Sequence, residues 1–181
     1  MGLVTITTIV QVDAARPKLV VGIVVDQLRT DCLESLKSVL GEKGFKRLME
    51  QGAYMRDVDF VVAEPDAVSA TAMIYTGNYP SKNGVVAAEK YNPAQLKVEP
   101  ILHDPNSLGN FTNETYSPRN IVLSTISDEV VIDGVGLGAV YSVALDPQQA
   151  VIMAGHAGNS AFWISEYTGK WCTTTYYKDV P

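Results

Sequence analysis

Eight residues at positions 18–25, Lys-Leu-Val-Val-Gly-Ile-Val-Val, are nearly all apolar and largely β-branched, and the run ends abruptly on a carboxylate, Asp26. An apolar run of this length suits a strand buried on both faces, as in a parallel α/β sheet. Asp26 then falls at the strand's carboxyl end, where open α/β sheets bind ligands. Two readings of that carboxylate stand side by side. It is a ligand or metal residue, or it starts a turn or caps the helix that begins near Thr30. With 181 residues, 46% of them hydrophobic, the chain can bury one sizeable core. Its net charge of −6 and the absence of any basic run argue against a sequence-independent nucleic-acid binder. Cys32 and Cys172 lie far apart without metal-type spacing, so one disulfide and two buried thiols are both open. No apolar stretch reaches the ~18 residues of a membrane span.

Residues 1–16 read as a tail or the remnant of a signal peptide. Positions 2–10 are small, apolar and Thr-rich, and Val12-Asp-Ala14 resembles a small-residue cleavage site, yet no Lys or Arg precedes Arg16. A signal remnant would place the protein in the periplasm or outside the cell; a plain tail would leave it cytoplasmic. Residues 17–181 form the domain.

From Thr30 to Gly52, apolar residues recur at helical spacing around Gly41 and Gly44, predicting two short helices with Gly52 as a C-cap. Alternation over 54–62 predicts a second strand. Residues 70–75 read as a helix that Asp66 or Ser69 caps. The Asn-, Pro- and Asp-rich stretch 89–116 reads as a long surface excursion with His103 exposed. Ser117-Pro118 opens a helix running to about Val131. Strands are expected over 138–145 and 150–153, and a hairpin joins 161–165 to 171–177 about Thr168-Gly169. The aromatic residues Phe162, Trp163, Tyr167, Trp171, Tyr176 and Tyr177 read as core or cover for the sheet.

Several blocks, in order, carry a specific resemblance. Lys18-Leu-Val-Val-Gly-Ile-Val-Val-Asp-Gln27, Gly44-Phe-Lys-Arg-Leu-Met-Glu-Gln-Gly-Ala53 and Ile74-Tyr-Thr-Gly77 with Pro80 and Asn83-Gly84 resemble the alkaline phosphatase superfamily. Residues 117–129, Ala154-Gly-His156 and 168–177 continue the match, so it runs from about Pro17 to the end. The nearest likeness is to the bacterial phosphatases grouped with the nucleotide pyrophosphatase/phosphodiesterases. The resemblance implies an α/β fold with a mainly parallel sheet flanked by helices, like the N-terminal half of that superfamily. It also implies a two-zinc site in which a strand Asp holds one metal and a Thr or Ser at a helix N-terminus attacks phosphorus.

By motif position Asp26 matches the first metal ligand, while the nucleophile falls on Ala67, whose methyl group has no lone pair to attack with. The pattern's following Gly and His fall on Ala70 and Thr71. An Asn that contacts a phosphate oxygen in the relatives falls on Ala88, and their Lys-x-Arg pair is Asp146-Pro-Gln148 here. Exchanging a cation for Asp146 reverses the local field. At ~5 Å and an effective dielectric of about 20, each unit-charge contact is worth about 3 kcal/mol. Losing a nucleophile alone costs on the order of 10⁶ in rate where a site acts as a unit. Ser69 and Thr71 are weak surrogates, since hydroxyls in a first helical turn are caps more often than nucleophiles. Asp66 is a further carboxylate in that turn, with no identified acid partner.

The metal set reads as incomplete. His103 and His156 have no partner at i+3 or i+4, and His156 reads as a loop residue organising hydrogen bonds. The family's remaining ligands come mostly from a C-terminal half that lies beyond Pro181. The expectation is therefore no cofactor, or at most one weakly held divalent cation on a vestigial Asp26. We read the chain as a truncated, degenerate family member, a non-catalytic scaffold or binding protein. Competing readings are a metal-dependent phosphate-ester hydrolase completed by a missing half or partner chain, and a phosphate- or nucleotide-binding module. Apolar surface left uncovered predicts a homodimer, or a chain supplying the missing half.

Overall fold

A computed structural model describes residues 17–55, 58, 60 and 62–177. Its helices are α1 (Thr30–Leu36), α2 (Phe45–Gln51), α3 (Ala67–Thr76), α4 (Pro80–Asn83), α5 (Ile126–Asp133) and α6 (Pro147–Ala154). The strands are β1 (Glu89–Asn92), β2 (Lys97–Pro100), β3 (Gly109–Asn110), β4 (Tyr141–Ala144), β5 (Ser160–Ile164) and β6 (Trp171–Thr174). The mixed α/β character expected from the sequence is present.

The centre is a β4–α6–β5 unit. β4 pairs parallel with β5, Tyr141 opposite Ser160 and Ala144 opposite Trp163, and α6 makes the crossover that parallel pairing requires. α6 packs on both strands and on α3. Beyond β5 the hairpin expected about Thr168-Gly169 forms, with Trp163 opposite Cys172, and β3 closes the sheet antiparallel to β6. The order β3-β6-β5-β4 thus holds one parallel and two antiparallel pairs. The described sheet is mixed, not mainly parallel.

The reason lies in the apolar run. Residues 18–25 are in no strand, and among the described residues the stretch 17–28 makes no backbone hydrogen bond. Leu19, Val21 and Ile23 are 79%, 68% and 78% exposed. A fully buried parallel strand needs a bonded neighbour on each edge, and β4 pairs with β5 alone among the described strands. The run instead lies over α3, where a Cβ added to Gly22 would come within 2.6 Å of the Tyr75 hydroxyl. The second expected strand, 54–62, falls partly outside the described residues, and those of its residues that are described are not in a strand.

Three further expectations are revised. Residues 150–153 are helical, because Asp146 caps α6 by accepting from Gln149 N at 2.9 Å and Pro147 occupies its first position. A short apolar run fits strand or buried helix equally by period, so the start signals decide. The helix from Ser117 breaks into a 3₁₀ turn, Pro118–Asn120, and a separate α5 that Thr125 and Asp128 begin with a reciprocal capping box. Nor is 89–116 wholly superficial: β1 and β2 form an antiparallel hairpin, Ile101 and Leu102 are buried in the core, and half-buried His103 bonds through Nδ1 to Thr115 Oγ1 at 2.9 Å. The two short helices of 30–52 and the Gly52 C-cap form as expected. Both cysteines are free, Cys32 exposed and Cys172 buried.

Trp163 joins sheet to core. It is 1% exposed, packs with Val151, Ile152 and Leu102 in the central cluster, and its indole N–H donates to Glu114 Oε2 at 2.6 Å. Trp163→Ala is expected to lower stability by about 3–5 kcal/mol, read from urea unfolding. A loss below about 1 kcal/mol would show that this cluster is not what holds the sheet to α6.

Candidate functional site

Capping chemistry places the first turn of α3. Asp66 Oδ1 accepts from Ser69 N at 2.7 Å, and Ser69 Oγ accepts in return from Asp66 N at 3.1 Å. The other Asp66 oxygen accepts from Ala88 N, drawing the start of the β-hairpin to the same helix end. Ala67 is then the first helical residue, its methyl group at the position where the resemblance puts a nucleophile. Ser69, 1% exposed, is committed to the cap. Thr71, equally buried, donates its hydroxyl to Ala67 O at 2.7 Å.

Asp26 does approach this turn. Gln149 of α6, a residue the sequence reading did not single out, sends its side-chain Nε2 to Asp26 Oδ2 at 3.2 Å and Oδ1 at 3.4 Å. The same nitrogen reaches Thr71 Oγ1 at 3.0 Å and Ala67 O at 3.4 Å. The Asp-Pro start of α6 was the available signal, since it fixes Gln149 as the third helical residue. Nothing local says which helix that residue faces.

The positions matched to substrate contacts come together with structural duties. Gln148 Nε2 donates to Ala88 O at 3.0 Å, and its Oε1 accepts from Leu102 N at 3.1 Å. It therefore bridges α6 to the end of the hairpin. Asp146 is the α6 cap. Its carboxylate, with Asp26 and Asp66, makes this end of the molecule unfavourable for a phosphate dianion.

The donor set does not fit a two-zinc centre. Among the described residues no three His, Cys, Asp or Glu side chains converge, and exposed Asp26 accepts from the neutral Gln149 amide. Zinc sites draw on imidazole, thiolate and carboxylate. His103 and His156 lie elsewhere.

His156 organises hydrogen bonds, as its Ala-Gly-His setting implies. Its Nδ1 donates to Asp128 Oδ2 at 2.9 Å and Nε2 donates to Ile121 O at 3.0 Å. Acceptors on both ring nitrogens favour the imidazolium. The Asp128 carboxylate raises the His156 pKa above 6.5, outweighing the opposing effect of half-burial. Burial pushes Asp128 upward, but bonds from His156, Thr125 N and Ala157 N overcome it and hold that carboxyl well below the usual range. Gly155 is needed beside this pair: its φ is +70°, and a Cβ there would stand 2.3 Å from Thr125 Oγ1.

With the His156 pKa raised on folding, its contribution is complete below pH 6.5 and is lost as pH rises through the folded value. The depressed Asp128 contribution is instead lost toward acid. Urea unfolding against pH should show stability declining upward from pH 6.5, and His156→Asn should flatten that limb. An unchanged slope in the variant would remove the ion pair from the account.

Comparison with known proteins agrees with this scaffold. The family model for type I phosphodiesterase / nucleotide pyrophosphatase matches residues 20–179. Alkaline phosphatase PafA of Elizabethkingia meningoseptica is 34% identical over 176 residues, covering 92% of this chain and 31% of that protein. Alkaline phosphatase PhoV of Synechococcus elongatus is 31% identical over 166 residues, covering 90% and 30%. The crystal structure of wild-type PafA superposes with a TM-score of 0.85 at 33% identity, covering 92% of this chain and 33% of that one. A PafA variant in which a threonine, an asparagine, a lysine and an arginine are replaced superposes equally well, at 34% identity, 92% and 33% coverage and TM-score 0.85. The first two of those residues, and the last two, have the same mutual spacings as positions 67 and 88, and 146 and 148, here. The chain spans about a third of the length of these relatives.

Proposed function

This chain belongs to the type I phosphodiesterase / nucleotide pyrophosphatase family of the alkaline phosphatase superfamily, and from that membership we propose that it keeps the family scaffold without phosphoryl-transfer chemistry. One observation carries the reading: the first residue of α3, beside Asp26, is Ala67, and no hydroxyl in that turn is available to replace it. An attacking oxygen needs a neighbouring base or metal to activate it. Ser69 is held in the cap and Thr71 between Ala67 O and Gln149.

The positions matched to phosphate contacts support the same reading. Where the relatives' pattern has Asn, Lys and Arg, this chain has Ala88, Asp146 and Gln148. Ala88 and Gln148 link α3, the hairpin and α6 through hydrogen bonds, and Asp146 caps α6. The protein acts as a scaffold whose former substrate face has been turned to internal bracing.

The coverage of its relatives favours one rival, a hydrolase completed by polypeptide equivalent to their remaining two-thirds. Zinc stoichiometry and p-nitrophenyl phosphate turnover separate the two. The expected result is no zinc-dependent turnover by the wild-type chain and none by Ala67→Thr, because restoring a hydroxyl restores neither metals nor cations. Two zinc ions per chain with turnover would overturn the proposal. A thermal shift with inorganic phosphate and no hydrolysis would also overturn it, in favour of a phosphate-binding module.

A further inference from the structure

The surroundings of one nitrogen atom, Gln149 Nε2, go beyond that reading. Four oxygens from three residues surround it at 3.0–3.4 Å: both carboxylate oxygens of Asp26, Thr71 Oγ1 and Ala67 O. An oxygen cage of carboxylate, hydroxyl and main-chain carbonyl is the kind of shell that gathers round a hard cation. Here its centre is the –NH₂ end of a buried side chain, Gln149 being 8% exposed. An amide has two polar hydrogens and no ligating lone pair on nitrogen, so it holds the oxygens together by donation alone. Asp26 stays exposed and hydrated, so its charge needs no buried counter-ion.

We propose that Gln149 is a positioning residue whose amide fills this four-oxygen cradle in place of a cation and clasps the apolar run 17–28 onto α3 and α6. Few hydrogen bonds hold the run among the described residues. Asp26 to Gln149 is its one side-chain hydrogen bond among the described residues, and its backbone makes none. Its other fixed point is the close approach of Gly22 to the Tyr75 hydroxyl. The clasp joins residues 123 positions apart, so it sets where the run leaves the body of the molecule.

The test uses ¹⁵N relaxation of the whole chain, with Gln149→Ala and, because Asp26 is exposed and its loss spares the core, Asp26→Ala as a second variant. Backbone order parameters at residues 24–28 are expected to fall from a rigid value near ~0.85 to below ~0.6 in each variant. The double variant should fall no further, since each change removes the same contact. In the wild-type chain, the Gln149 side-chain amide signal is expected to stay put on titration with zinc chloride. Order parameters that do not move in Asp26→Ala overturn the clasp, as does zinc displacing the Gln149 amide signal in the wild type. Neither readout measures turnover, so a failed clasp leaves the non-catalytic reading standing, and zinc-dependent hydrolysis would sink that reading on its own.

Discussion

Burial of α6 between the β4–β5 pair and α3 is the constraint on which the remaining architecture depends. Its apolar residues Ala150, Val151, Ile152 and Ala154 are almost completely removed from water, and each buried aliphatic side chain contributes about 1.5–3 kcal/mol relative to exposure. A helix enclosed on several sides leaves its polar side chains only protein partners. Gln148 and Gln149 meet that demand by reaching in different directions, one to the hairpin and one to α3 and Asp26. Tyr177 closes the other end, its hydroxyl donating to Val151 O at 3.2 Å and Gly155 O at 3.1 Å.

The same constraint sets how the polar groups at the start of α3 and α6 are satisfied. A catalytic site holds unsatisfied groups ready for a ligand, at a cost in stability. At this helix end the two carboxylates nearest the helix starts cap α3 and α6, and the amides bridge elements. Ser69, Thr71, Gln148 and Gln149 each have an internal partner. The ionic pair of Asp128 and His156 follows the same pattern farther along α5, since both ring nitrogens and both carboxylate oxygens are engaged. Breaking such a pair leaves a buried charge without compensation.

The apolar run is the counterexample. Its composition promises a buried strand, and in the described residues it is extended over α3 with most of its side chains exposed. Composition reports what a segment would gain by burial, while pairing depends on whether another strand presents an edge beside it. β4 offers its paired edge to β5, and among the described residues the run approaches the body of the molecule through Gly22 and Asp26.

Local signals were legible in the residues themselves. The Asp66–Ser69 cap, the paired short helices around Gly41 and Gly44, the hairpin about Gly169 and the family blocks each depend on neighbours within a few positions. The helical state of 150–153 was also encoded locally, in Asp146-Pro147, but the apolar run that followed fitted two periods and concealed it. Tertiary structure alone decided that Asp26, Ala67, Thr71 and Gln149 share one cradle, and that 18–25 pairs with no described strand. Capping and turn preferences act through bonds between near neighbours, whereas helix facing and strand pairing arise from packing the whole chain, which no short stretch of sequence contains.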